Sequence, residues 1–238
     1  AMYSACRELE REGLSGFALL LLAGEETGSH GAKAYAQSQP GGEWVIVGEP
    51  TGNKMVAASK GTKAFDITIT GQSCHSGYPE QGVSAIELFV DFVNQLRATR
   101  FPVDPVTGTT TYNLGRLASD NPQNVLSDKV RFRLYWRTTQ ASDALVTATV
   151  EGMAGERVHI EALGGDTPMS YATLEGFETT IAAFGSDAPR LSNFKHRALC
   201  GPGSILVAHR PGECVMLSEI AQARDQYVRM FKQIIAAQ

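Results

Sequence analysis

The chain has 238 residues, a formal net charge of −4, a pI of about 5.8, and 43% hydrophobic against 19% charged residues. That is enough chain to bury a substantial core in one or two domains. An acidic balance with no long basic run argues against a nucleic-acid or anionic-membrane surface as the main partner and leaves small molecules.

The four cysteines, Cys6, Cys74, Cys200 and Cys214, stand apart with no C-x-x-C pair. Reduced thiols and a cytoplasmic location are therefore expected rather than a zinc ribbon or a disulfide framework. No apolar run approaches the roughly 18 residues that a spanning helix needs.

Met2, Ala5, Cys6 and Leu9 recur at helical spacing and predict an amphipathic helix over 2–12. The chain opens directly inside this pattern, without a preceding strand or cap, so a further segment upstream is expected. The run 19–22 is all leucine, and 17–23 is predicted as a central strand buried on both faces. Gly24 ends it and places Glu25 and Glu26 at the carboxyl edge of the sheet, where open α/β folds bind ligands. A helix over 29–37 is closed by Pro40, Gly41 and Gly42, and a short strand over 44–47 ends in Gly48, Glu49 and Pro50. Buried strands alternating with helices imply a mostly parallel sheet with its loops gathered at one edge.

From Gly61 the texture becomes half-buried. Phe65, Ile67 and Ile69 alternate with Asp66, Thr68 and Thr70, the period-two mark of a strand with one wet face. Ser84 and Glu87 form a capping box that Val83 and Leu88 staple, opening a helix with Ile86, Phe89, Val93 and Leu96 on one stripe. Strands at 110–117 and 130–137, a helix at 143–153 and a strand at 157–163 complete a β-α-β-β-α-β series, the order of a ferredoxin-like unit. Buried texture returns at 180–184 and 198–200, before a closing helix with Ile220, Tyr227, Phe231 and Ile234 on one side. The expected organisation is a discontinuous α/β domain of 1–59 and 167–238, with an α+β domain of 60–166 inserted into it.

Glu25, Glu26, Glu49 and His209 each follow a short apolar segment of the outer domain, so a parallel sheet would bring them to one rim. Carboxylate and imidazole together suit zinc, manganese or cobalt. Taken singly, a carboxylate in a turn is usually solvated and a lone histidine is more often an ordinary hydrogen-bonded residue than a ligand; their convergence points to a site. Ser204 lies in GPGS rather than G-x-S-x-G, which argues against a serine nucleophile. Cys74 has no identifiable activating base, and His30, His159 and His196 read as core or surface.

Four segments, AGEETGSHGA, VGEPTG, GQSCHSGYPEQGVSAIE and GPGSILVAHRPGE, resemble in this order the metallopeptidase family of acetylornithine deacetylase, succinyl-diaminopimelate desuccinylase and glutamate carboxypeptidase. Lys60-Gly61 after GEPT, and Ala208-His209 with Pro211 and Glu213 after GPGS, resemble the acetylornithine deacetylase branch. The resemblance implies a zinc-peptidase-like catalytic domain with an inserted lid and dimerisation domain. It also implies two divalent metal ions, zinc above all, and hydrolysis of the amide bond of an N-acyl amino acid by a homodimer. On this comparison Glu25 is the general base, Glu26 and His209 bind one metal and Glu49 the other. His75, often supplied by the partner subunit, stabilises the oxyanion; Asn124 lies near the substrate carbonyl and Arg137 grips a substrate carboxylate. Asp187, in GSDAPRL, resembles a loop near the substrate, although from the residues alone it reads as a turn cap.

The sequence also departs from that pattern. None of the five histidines is followed two places later by aspartate, so the family's H-x-D segment and the D-M-K-G-like turn with its bridging aspartate are absent. Neither ion then has a full set of ligands. Two readings follow: most of a metal-dependent amidohydrolase, with desuccinylase or carboxypeptidase as variants of the same chemistry, or a non-catalytic module retaining dimerisation or ligand binding.

Overall fold

The structure, a computed structural model, describes residues 1–237. In chain order the elements are α1 (Met2–Arg11), α2 (His30–Ser38), β1 (Trp44–Val47), β2 (Met55–Ser59), β3 (Gly61–Thr70), α3 (Ala85–Ala98), β4 (Thr111–Ala118), β5 (Lys129–Thr138), α4 (Asp143–Glu151), β6 (Val158–Gly164), β7 (Met169–Ser170), β8 (Thr179–Ala182), β9 (His196–Leu199) and α5 (Leu217–Ala236). The chain divides into two compact units, Ala1–Ser59 with Ser170–Gln238, and Lys60–Met169. Gln238, the last residue of the expected outer domain, lies outside the described residues. Among these residues no helix is long and apolar enough to cross a membrane, and all four cysteines are free.

The unit Lys60–Met169 is a four-stranded sheet in the order β4-β5-β3-β6. Every adjacent pair is antiparallel, the ferredoxin-like arrangement for this element order. Period-two alternation builds its core: Val130, Phe132, Leu134 and Trp136 of β5, with Phe65, Ile67 and Ile69 of β3, are each no more than 2% exposed. On the other face Arg133, opposite Asp66 in register, donates to both carboxylate oxygens at 2.7 and 2.6 Å.

Ser84 caps α3 by accepting from the backbone N–H of Glu87 at 3.3 Å. The stripe on α3 differs from the expected one. Ile86 is 39% exposed, and Phe92 joins Ala85, Val93 and Leu96 in the buried face. Aromatic packing turns the helix this way, with Phe89 and Phe92 edge-on to Phe132 at centroid distances of 5.0 and 5.4 Å.

In the discontinuous unit, β1 and β9 pair in parallel over Trp44–Val47 and His196–Leu199. A separate sheet has the order β7-β2-β8, with β2 and β8 parallel. Ala5 and Leu9 of α1 and Ala223, Tyr227, Val228 and Met230 of α5 share one core with Met55, Ala198 and Cys200. Tyr227 Oη donates to the Cys200 carbonyl oxygen at 2.7 Å, which satisfies a phenol that burial would otherwise penalise.

The leucine run corrects the sequence reading, because 17–23 is not a strand. Leu19 is 36% and Leu21 83% exposed. An apolar strand buried on both faces needs bonded neighbours and a layer over each face. No described strand pairs with 17–23, and the expected central sheet is instead two small ones.

These environments set opposite expectations for two leucines. Leu134→Ala in the β5 core should cost about 2–5 kcal/mol, whereas Leu21→Asp should change stability by no more than about 0.5 kcal/mol. Urea denaturation of the two variants measures both.

Candidate active site

Glu25 and Glu26 sit in a tight turn that closes when the N–H groups of Gly28 and Ser29 donate to the Glu25 carbonyl oxygen at 3.0 and 3.1 Å. Gly24 and Gly28 have φ of 78° and 112°, a backbone region that glycine enters without a Cβ penalty. The turn passes directly into α2, and Gly31 lies so close to Ala23 that a Cβ would stand 2.6 Å from the Ala23 carbonyl oxygen.

Glu49 follows β1, and its turn interlocks with the GPGS loop that follows β9. Thr51 and Asn53 donate backbone N–H groups to the Gly201 carbonyl oxygen at 3.3 and 2.8 Å, and Gly52 donates to that of Gly203 at 2.7 Å. Gly201 N–H donates back to Thr51 Oγ1 at 3.0 Å. A Cβ on Gly201 would fall 2.5 Å from the Glu49 carbonyl oxygen, so only glycine permits this approach. The GPGS motif is thus a structural partner of the Glu49 turn, consistent with the absence of a serine-nucleophile pattern.

His209, at φ 59°, brings Nε2 to 3.0 Å from Glu26 Oε1, and its backbone N–H donates to Glu213 Oε2 at 3.1 Å. The hydrogen bond to Glu26 leads in raising the imidazole pKa, followed by the charges of Glu26, Glu213 and Glu25. Both side chains are open to solvent, at 72% and 71%.

Glu49 is different. Burial, and then the charges of Glu25, Asp187 and Glu26, push its carboxyl up to about 8. Three carboxylates therefore act on Glu49.

Asp187, which from the residues alone reads as a turn cap, acts on Glu49. It precedes the short turn Ala188–Arg190 as a cap residue would, yet its side chain makes no capping hydrogen bond. It is 8% exposed, and its Oδ1 is buried without a partner. The sequence signal was the small-residue, proline-containing context of GSDAPRL, which suits a turn whatever the side chain faces.

In the other unit, exposed His75 accepts from Gly77 N–H through Nδ1 at 3.1 Å, and its loop lies against the loop of Asn124, whose carbonyl oxygen accepts from Ser76 N–H at 2.9 Å. Arg137, half-buried, places its guanidinium 5.0 Å from the ring centroid of Tyr135 and stands opposite Thr62 and Thr111. The His75 and Asn124 loops adjoin the Thr70–Lys129 end of the sheet. Arg137, eight residues along β5 from Lys129, is roughly 26 Å from that end.

Glu26, His209 and Glu49 have the hard and borderline donors that a zinc-type ion takes, and the orphaned buried oxygen of Asp187 fits a cation nearby. The set is nevertheless open: among the described residues no group of three or more His, Cys, Asp or Glu side chains is arranged to hold a metal ion.

The Glu49 environment carries a pH dependence. With its folded pKa raised to about 8, the carboxyl stays protonated in the folded chain while the unfolded chain ionises from its ordinary value of 4.5 upward. Stability should therefore fall as pH rises from 4.5 to about 8. Glu49→Gln should flatten that fall and melt higher than wild type at pH 8 without added metal, as read by thermal unfolding across pH.

Comparison with known proteins places these features. Residues 57–156 match the family described as the peptidase dimerisation domain. A peptidase M20 domain-containing protein of Schizosaccharomyces pombe is 32% identical over 89% of this chain and 54% of its own length. A probable carboxypeptidase of Aspergillus niger is 32% identical over 99% of this chain and 62% of its own. The chain thus spans little more than half of these relatives.

Among solved structures, a tripeptidase of Staphylococcus aureus has a TM-score of 0.79 at 17% identity, covering 100% of this chain and 69% of that one. The aminopeptidase PepT of Bacillus cereus has a TM-score of 0.73 at 20% identity, covering 98% and 69%. These two likenesses establish the fold, an α/β domain with an α+β domain inserted in its chain. The chain is thus similar to the peptidase dimerisation domain over residues 57–156, and over most of its length to M20-domain proteins and probable carboxypeptidases.

Proposed function

We propose that this chain is the larger part of an M20-type metal-dependent hydrolase that cleaves the amide bond of a substrate bearing a free carboxylate. The observation that supports it most is the gathering of Glu25, Glu26 and Asp187 about the half-buried carboxyl of Glu49, with His209 on Glu26. Mutually repelling carboxylates in a partly buried place are costly to keep unless a cation or a proton is handled there.

Glu26 and His209 would hold one divalent ion and Glu49 the other, zinc first and cobalt or manganese as substitutes, with further ligands needed to close the pair. Two such ions, when bound, polarise the scissile carbonyl and acidify the attacking water. Glu25, adjacent in the turn, takes the proton from that water and hands it to the leaving amine. His75 stabilises the negative oxygen of the tetrahedral intermediate, with Asn124 beside it near the substrate carbonyl. Arg137 pairs with the substrate carboxylate. Its separation of roughly 26 Å from the His75 end of the sheet fits a homodimer in which the His75 and the Arg137 of one dimerisation domain serve different sites.

The substrate we favour is an N-acyl amino acid such as N-acetylornithine, in a cytoplasmic enzyme of amino-acid metabolism. A second reading, cleavage of a carboxyl-terminal residue from a peptide, is favoured by the relatives named as probable carboxypeptidases.

The test is hydrolysis of N-acetylornithine, N-succinyl amino acids and dipeptides by the 238-residue chain, with and without zinc or cobalt, alongside its metal content. Chelator-sensitive turnover would mean that the open ligand set is completed, and Glu25→Gln should then lower kcat by about 100-fold or more while the melting temperature holds. The substrate cleaved fastest decides between the two readings. A folded dimer with neither metal nor turnover would assign the chain to the non-catalytic, dimerising alternative.

A further inference from the structure

His75 makes one hydrogen bond through its ring, and the direction of that bond restricts what the ring can do. The backbone N–H of Gly77 donates to Nδ1 at 3.1 Å. A ring nitrogen that accepts must keep its lone pair, so the neutral imidazole carries its proton on Nε2. A Cβ at position 77 would stand only 3.2 Å from Nδ1, so glycine leaves room for this contact. His75 is exposed, which leaves the Nε2 side open to a ligand.

The loop carrying His75 is pinned from several directions. Tyr78 N–H donates to the His75 carbonyl oxygen at 2.9 Å, closing a turn around Gly77. Ser76 N–H donates to the Asn124 carbonyl oxygen at 2.9 Å, Leu126 N–H donates to that of Cys74 at 3.0 Å, and His75 and Val125 form an antiparallel bridge.

The facing loop is itself anchored to the sheet. Asn121 Nδ2 donates to the Val125 carbonyl oxygen at 2.9 Å, and its Oδ1 accepts from Ser119 Oγ at 2.9 Å. Buried Ser127 accepts through Oγ from the Lys129 N–H at 3.3 Å, at the start of β5, and its hydroxyl donates to Ser119 Oγ at 2.6 Å. An unbroken series of hydrogen bonds therefore runs from β5 through Ser127, Ser119 and Asn121 to the loop of Asn124, and from there to His75.

We infer that Gly77 and Asn121 are positioning residues that hold His75 as a neutral Nε2–H donor, preset for a negative oxygen of the substrate and unsuited to act as a base through Nδ1. This deepens the reading of His75 given under Proposed function and rests on it. A neutral donor fixed in advance stabilises charge that develops during reaction without reorganising at that moment.

The experiment is nitrogen NMR of the histidine rings in the 238-residue chain at pH 8, with amide exchange measured alongside. The wild type is expected to show His75 with an unprotonated Nδ1 and a protonated Nε2. Gly77→Pro, which removes the donor N–H, should give a mixture of tautomers. Asn121→Ala should speed exchange of the Ser76 and Leu126 amides by about tenfold or more, since it removes the anchor of their partner loop.

A wild-type Nδ1–H tautomer would overturn the inference, as would a His75 spectrum unchanged by Gly77→Pro or exchange unchanged by Asn121→Ala. Should Gly77→Pro fail to fold, the wild-type spectrum and the Asn121→Ala exchange decide. Hydrolysis by His75→Ala tests the underlying reading separately: full activity there, with the Nε2–H tautomer present, would remove His75 from the reaction and leave the tautomer assignment standing.

Discussion

The half-buried carboxyl of Glu49, pressed by the charges of Glu25, Asp187 and Glu26, is the constraint to which the neighbouring loops of the discontinuous unit answer. Like charges nearby raise a carboxyl's pKa, and such an arrangement persists only if the backbone that carries it is held in place. Here the backbone is over-determined. The turn after Glu49 is cross-bonded to Gly201 and Gly203, and Gly201 approaches the Glu49 carbonyl too closely for any side chain. The turn of Glu25 and Glu26 is likewise held by its own hydrogen bonds and by the close packing of Gly31 on Ala23. The side chains can repel one another because the main chain that carries them is fixed.

The other unit handles polar groups in the opposite way, by pairing them. Its core is an apolar face of alternating residues from β3 and β5 covered by α3 and α4, while its wet face carries the bidentate Arg133–Asp66 pair. The two loops at the Thr70–Lys129 end are bonded to each other and to the sheet, which makes them a platform for His75 and Asn124. A rigid strand frame with the functional groups on anchored loops is an economical way to hold a donor in place.

The ferredoxin-like order was legible because β-strands announce themselves by period two: Val130, Phe132, Leu134 and Trp136 could share a face in no other conformation, and all are buried. The cap at Ser84 was legible for a local reason too, since the side chain bonds its own backbone neighbour. The stripe of α3 was misjudged by part of a turn, because Phe92 rather than Ile86 faces the aromatic ring of Phe132. At the candidate site, Glu25, Glu26, Glu49 and His209 stood out by following apolar segments. Asp187 did not, because its sequence context is that of any turn and only its burial sets it apart.

The amino-acid sequence by itself determined what depends on near neighbours: the α/β class, the alternation of β3 and β5, the helix cap, and the resemblance carried by four short segments. The tertiary structure alone decided what depends on partners distant in the chain. It left the leucine run at 17–23 unpaired, because hydrophobicity makes a strand only where other strands take up its backbone hydrogen bonds. It also gave Glu26 and His209 a shared hydrogen bond across 183 residues, and set Arg137 at the far end of β5 from the loops of His75 and Asn124. Those relations are made by register and packing, which no single stretch of sequence contains.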